Sequence, residues 1–316
     1  MERRGLSTLA WILSAATFLL VVAGGLVTST GSGLSVPDWP TTYGWNMFTF
    51  PLSKWVGNIR FEHSHRLIAS AVGLLTVAFA VAAFAMARSR AVRVLAAIAV
   101  GAVVLQGILG GLTVRYLLPT PISVAHACLA QTFLCLTVTL AVLTGRDSRE
   151  PAIAPAHDRR GLSAAAFSAL FVQLVLGAWM RHSAAGLAIP DFPSSFGRAI
   201  PSRWDGGIGV AFAHRTWALV AAALVAALAA GVLRDTESLR LRRPAAALLA
   251  LLPLQIALGA ASVWTARAVP VTVAHVAVGA LLLATTAALS LRLFRVGFPA
   301  SETVPQPAIL AVEPAR

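Results

Sequence analysis

The stretch Glu62-His63-Ser64-His65-Arg66 is followed by Leu105-Gln106-Gly107, by Gly110-Gly111-Leu112-Thr113-Val114 and by Pro121 to Ala125-His126. The series returns as Ala211-Phe212-Ala213-His214-Arg215, Leu254-Gln255-Ile256, Gly259-Ala260-Ala261-Ser262-Val263 and Pro270 to Ala274-His275. His65 and His214, Gln106 and Gln255, Gly110 and Gly259, Pro121 and Pro270, and His126 and His275 each stand 149 positions apart. One offset across five landmarks is an internal repeat, and the repeat carries its histidines with it. Another landmark precedes each set. Gly33-Leu34-Ser35-Val36-Pro37-Asp38-Trp39-Pro40 returns as Gly186-Leu187-Ala188-Ile189-Pro190-Asp191-Phe192-Pro193, at an offset of 153. Pro and Asp around an aromatic predict a rigid turn with side-chain capping. A structural outer loop and a lid over a buried site both fit that turn.

Composition places the repeat in a bilayer. The 316 residues are 58% hydrophobic and 12% charged, with mean hydropathy +0.78, beyond what a soluble domain of this length tolerates. A spanning helix needs roughly 20 apolar residues. Eight segments qualify, at about 8–28, 65–87, 93–114, 121–143, 162–181, 207–233, 244–264 and 270–291. The first runs straight into a repeated motif, so it is a span rather than a cleaved signal. The fold class expected is therefore an all-α integral membrane protein, with eight transmembrane helices as two tandem four-helix bundles. Four is an even number, so both halves enter the membrane in the same direction and the repeats are parallel. The expected division is 1–144, a linker at 145–160, 161–296 and a cytoplasmic tail at 297–316.

Charge orients the spans. With the N-terminus cytoplasmic, the inner side carries Arg3, Arg4, Arg88, Arg90, Arg93, Arg146, Arg149, Arg159, Arg160, Arg234, Arg240, Arg242, Arg243, Arg292 and Arg295. The outer side carries Lys54, Arg60, Arg66, Arg115, Arg181, Arg198, Arg203, Arg215 and Arg267. Fifteen against nine follows the positive-inside rule, with both termini cytoplasmic and the plasma (inner) membrane as the location. The net charge of +13 is thus a matter of topology. No nucleic-acid partner is expected, because the arginines sit at helix ends and form no continuous basic face. Cys128 and Cys135 lie seven residues apart on one helix, too far for a disulfide, and read as packing residues.

The repeated histidines fall near the outer ends of their helices: His65 and His214 open the second and sixth, His126 and His275 the fourth and eighth. Facing imidazoles on different helices of one bundle suit a planar metallocycle, so two axial pairs for two hemes are expected. His63, His157 and His182 lack repeated histidine counterparts and read as ordinary polar residues, with His63 close enough to His65 for a role at the site to stay open. Arg66 and Arg215 follow repeated histidines, where a guanidinium can meet a heme propionate or snorkel to lipid headgroups; both readings stand. Glu62 breaks the symmetry, since Ala211 is its counterpart. It lies three residues before His65 on one helical face, and a carboxylate at a membrane site is costly and functional by default. A water-exposed loop glutamate is the competing reading. If Glu62 acts chemically, the first half performs a reaction and the second holds a permanent cofactor.

The chain resembles the heme A synthase family from about residue 5 to 295. The resemblance rests on Gly24-Gly25-Leu26-Val27, Thr30-Gly31-Ser32-Gly33-Leu34, Pro37-Asp38-Trp39-Pro40, Glu62-His63-Ser64-His65-Arg66 and His126 taken together. It implies a membrane enzyme that oxidises a methyl group of heme O to a formyl group by successive hydroxylations. It further implies heme b held by His214 and His275, heme O as substrate at His65 and His126, and Glu62 beside it as the catalytic carboxylate. The implied partners are heme O, the enzyme that makes it, an electron donor and the lipid bilayer; a homo-oligomer is compatible. Many members carry cysteine pairs in the outer loops, where this chain has Val36 and Tyr43, and Ile189 and Phe196. A disulfide-stapled or redox-active loop is therefore excluded. The competing classes are a bis-histidine membrane cytochrome b that only carries electrons, which leaves Glu62 without a role, and a repeat-built transporter. The latter lacks broken mid-membrane segments with paired charges.

Overall fold

The computed structural model describes residues 2–145 and 155–295. The linker arginines Arg146 and Arg149 and the segment 297–316 lie outside the described residues. Eight long helices follow one another: α1 (Glu2–Ser29), α2 (Ile59–Met86), α3 (Arg90–Arg115), α4 (Thr120–Thr144), α5 (Arg160–His182), α6 (Gly206–Asp235), α7 (Leu239–Trp264) and α8 (Val269–Arg295). All eight are long and apolar enough to cross a membrane, and among the described residues there is no strand. This is a multi-pass membrane protein.

Of the four helices that carry the paired histidines, α2 begins six residues earlier than hydropathy predicts, and α4, α6 and α8 begin within one residue of the expected start. His65 lies six residues past the first residue of α2, His214 eight past that of α6, and His126 and His275 six past those of α4 and α8. The histidines therefore sit well inside their helices rather than opening them. The missed turn holds Arg60 and Glu62 in α2, while the start of α6 is marked by the Asp205 cap. Arg60 and Glu62 depress hydropathy but not helicity; at α6, Asp205 accepts the Ile208 N–H at 2.7 Å and starts the helix.

Each set of four helices packs in a ring, α1 on α2, α2 on α3, α3 on α4 and α4 on α1, with α5 to α8 alike. The rings meet where α1 and α4 pack on α8 and where α4 packs on α5. Leu13, Phe79, Phe133 and Leu140 fill the first ring at the end away from the long loops, and Val225, Leu228, Leu248 and Leu289 fill the second. Between the rings, Ala280, Ala284 and Ala288 present one small-residue stripe of α8 to Val21, Leu134, Val138 and Val142. Small side chains let helices approach closely where lipid gives no hydrophobic incentive. Neither cysteine is bonded, and Cys135 is buried, in keeping with a packing role.

Beyond α4, residues 155–159 fold back on the end of α6. Asp235 accepts from Arg159 Nε at 2.7 Å and lies 3.1 Å from His157 Nδ1. Its carbonyl accepts the Ala156 N–H.

Candidate functional site

The loop-bearing end of each ring is built on one arginine. Arg66 Nη1 donates to the carbonyls of Asp38 and Thr41 at 2.7 and 3.1 Å, and Nη2 to that of Val36 at 2.8 Å. Arg215 repeats this with Asp191 (2.6 Å), Ser194 (3.0 Å) and Ile189 (2.8 Å). Inside each loop an aspartate closes the turn. Asp38 accepts from Thr41 Oγ1 and the N–H groups of Tyr43 and Gly44. Asp191 accepts from Ser194 Oγ and the N–H groups of Phe196 and Gly197. Desolvation pushes the Asp38 carboxyl upward, but the donors from Gly44, Thr41 and Tyr43 together hold it below the usual range. The Gly197 N–H, Ser194 hydroxyl and Phe196 N–H hold Asp191 well below it. The loops are thus folded covers fastened to the helices that carry His65 and His214. Arg66, with all four Nη hydrogens committed to the loop and to Glu62, retains only Nε–H, whereas Arg215 keeps Nε–H and one Nη2–H beside its three loop contacts.

Beneath each cover the histidines pair. His65 interacts electrostatically with His126, and His214 with His275. Each imidazole lies on a glycine of the neighbouring helix. A Cβ placed on Gly24, Gly110, Gly177 or Gly259 would stand 3.2, 3.2, 2.9 or 3.1 Å from Cε1 of His65, His126, His214 or His275. Three of the four rings also meet a glutamine amide. Gln106 Nε2 is 3.5 Å from His126 Nε2, Gln255 Nε2 is 3.4 Å from His275 Nε2, and Gln173 Nε2 is 3.2 Å from both ring nitrogens of His214. Nδ1 of His65, His126 and His275 is buried without a hydrogen-bond partner, which is costly unless another group completes the site.

These donors fit a porphyrin iron. Among the described residues no three His, Cys, Asp or Glu side chains cluster to hold a bare metal ion. Pairs of imidazoles on facing helices suit a metal whose other positions a macrocycle already fills.

The halves differ beside this shared frame. Glu62 is 4% exposed, so it is no water-exposed loop glutamate. Its Oε1 accepts from Arg66 Nη2 at 2.5 Å and its Oε2 from the Val36 N–H at 2.8 Å. In the second half Ala211 is buried at that position, and Arg215 makes the same three carbonyl contacts without a carboxylate. His63, read as bland, is fully buried beneath the first cover, 3.2 Å from Thr42 Oγ1 and packed by Phe50 and Trp55. Its counterpart Phe212 meets Trp204 edge-on. His182 lies within electrostatic reach of His126 and Arg181, while His157 is far along the chain at the linker. Sequence reading missed Gln173 and the glycine seats. The seats carried a signal, because Gly24 and Gly177 share the 153 offset; Gln173 carried none, since Leu20 is its counterpart.

The family model for the cytochrome oxidase assembly protein COX15-CtaA matches residues 7–55 and 45–287 of this chain. The chain belongs to the COX15-CtaA family. Among its relatives, a protein named heme A synthase from Symbiobacterium thermophilum is 35% identical over 263 residues, covering 78% of this chain and 82% of the relative. Another of that name from Shouchella clausii is 30% identical over 273 residues, covering 84% and 89%. A third, from Caulobacter vibrioides, is 31% identical over 333 residues, covering 90% and 95%. The match to this COX15-CtaA member therefore takes in the covers, the clamps and all four paired histidines.

Proposed function

We propose that this protein is a heme A synthase, a membrane oxidoreductase that converts a methyl group of heme O to the formyl group of heme A. The relatives' name supports the activity, and the asymmetry of Glu62 supports how labour is divided. Two clamps have the same three carbonyl contacts, yet only the first adds a carboxylate. The second half is thus a natural control showing that the cover folds without one. A buried carboxylate that the fold does not need is best explained by chemistry.

In this reading His214 and His275 hold heme b, and His65 and His126 position heme O. Heme b, when bound, supplies one-electron oxidation and reduction. The seats Gly177 and Gly259 set where the two cofactor imidazoles stand, and Gly24 and Gly110 do so for the substrate. Glu62, one helical turn from His65, takes up the proton released as the methyl carbon is oxidised, with Arg66 steadying the carboxylate. Two hydroxylations of the same carbon, each needing an oxygen atom and a two-electron oxidant supplied from outside the protein, would give a diol, and loss of water would leave the aldehyde. The covers keep bulk water from the reacting edge. Orientation completes the proposal: the arginine bias sets both termini in the cytoplasm of a plasma membrane, with covers outside. Heme O would arrive from the enzyme that makes it, and a separate electron donor would serve the protein.

Co-expression with a heme O producer in a host lacking heme A tests the activity. Heme A should accumulate; heme O alone, with the protein present and carrying heme b, would favour the electron-carrying cytochrome b instead.

A further inference from the structure

Two arginines mark the second half where the first has neutral residues. Arg267 is the counterpart of Leu118: both are left-handed, at φ 68 and 60, in the turn closing α7 or α3. Both backbone N–H groups also return to the fifth residue before them, Ser262 at 2.8 Å and Thr113 at 2.7 Å. The seats match as well. The Arg267 Cδ stands 3.4 Å from a Cβ placed on Gly186, as Leu118 Cδ1 does from one on Gly33. Arg181, in the last turn of α5, is the counterpart of Thr28. It reaches across the ring boundary, donating through Nη2 to the Gly25 carbonyl and to Ser29 Oγ, both at 2.7 Å. Arg181 interacts electrostatically with Arg267 and with His275.

Arg181 thus has a like charge, Arg267, on one side and a cofactor histidine on the other, and both arginines are half-buried. Among the described residues neither has a carboxylate partner; the acids at this end, Glu62, Asp38, Asp191 and Asp205, are committed elsewhere. Leaving paired cations half-buried without an anion is unfavourable, and a ligand carboxylate relieves it with charge-assisted hydrogen bonds. We infer that Arg181 and Arg267 bind the carboxylate edge of the porphyrin held by His214 and His275. The first half lacks both cations, so its porphyrin is held by iron and apolar contact and exchanges. This rests on the assignment of heme b to the second half. Retention of the cofactor and release of the product then follow from two positions of one repeat.

The test uses full-length protein made without heme and titrated with hemin or with hemin dimethyl ester, whose carboxylates are masked. His65→Ala, present in every sample, confines binding to the second half. The expected result is at least about tenfold tighter binding of hemin than of the ester, the equivalent of one charge-assisted hydrogen bond. Arg181→Gln/Arg267→Gln should bring the two affinities together, and the double lysine variant should keep most of the preference. The heme b midpoint potential should move negative in the glutamine variant, because positive charge near the iron has been removed. Equal affinities in the parent protein, with His275→Ala abolishing both, would overturn the carboxylate site and leave the arginines to lipid headgroups. Hemin binding unaffected by His275→Ala would overturn the heme b assignment itself, and the inference with it.

Discussion

Glu62 and the glycine seats are where single atoms decide outcome. Glu62→Gln keeps the shape and an acceptor for the Val36 N–H while removing the charge. The variant should fold and retain heme b, yet accumulate heme O or the alcohol with little heme A, as extracted pigments would show. Near-normal heme A would reduce the carboxylate to an added tie on the cover. Gly177→Ala carries its new Cβ to 2.9 Å from His214 Cε1, a contact that one of the two must yield. Displacing an axial ring should remove most heme b from the purified protein, measured as its pyridine complex. Gly24→Ala, at 3.2 Å from His65, should spare heme b and lower heme A output. An unchanged heme content in Gly177→Ala would show that the imidazole does not depend on its seat. The glutamate could be found in the sequence because the repeat supplies a blank, Ala211, to compare with it. Gln173 could not, because its meaning lies in a contact between α5 and α6 that no spacing along the chain encodes.

The covers behave as elements in their own right, and their two versions differ by a compensated exchange. A Cβ on Gly111 would stand 2.6 Å from Trp39 Cδ2, so α3 must lack a side chain there for the first cover to seat its indole. The second half has Ala260 and Phe192 at the same two places, a smaller ring above a larger helix residue. Gly111→Ala should therefore loosen the first cover by about 1–3 kcal/mol, the range for overpacking. Adding Trp39→Phe should recover most of the loss, read as protection of the loop from protease. Failure of the second change to help would mean the indole does not set the fit. Protons act on the second cover through Asp191. Its folded value lies below the ordinary 3.8, so its contribution is complete above that value and is lost as pH falls through the folded one. Protease sensitivity of this loop should rise only in acid, below about pH 4, whereas Asp191→Asn should be sensitive at neutral pH too. Sequence marked these loops through their Pro-Asp-aromatic-Pro signature but left open whether they were covers. The deciding contacts run from Arg66 and Arg215 to backbone carbonyls, which carry no residue identity. Tyr43 Oη donates to the Ser35 carbonyl at 2.6 Å, and Phe196 packs with buried Ile189. Non-covalent ties thus join the loop arms.

At the scale of the molecule, the eight helices and their order were legible because a bilayer makes each span a long apolar run. The start of α2 was not, because hydropathy counts Arg60 and Glu62 as loop while the Val36 N–H of the cover and Arg66 supply the partners of Glu62. This shift changes the depth of the chemistry. At 1.5 Å per residue, a histidine six to eight positions along its helix lies roughly 9–12 Å below the helix start. The porphyrins would then lie within the outer part of the hydrocarbon layer, with the covers above them. That arrangement holds only if α2, α4, α6 and α8 all enter from the loop side, which an even number of helices per half and a cytoplasmic N-terminus require. Reporter fusions in the linker near Arg159 and just after Arg295 should both report cytoplasm, and one in the first cover near Asn46 should report the outside. If the linker fusion reports outside while the cover fusion also does, α1 to α4 cannot all span and the shared depth of His65 and His126 fails. If all three report the reverse sides, the rings survive intact but the arginine bias has been misread, and heme O must reach its site from the cytoplasmic face.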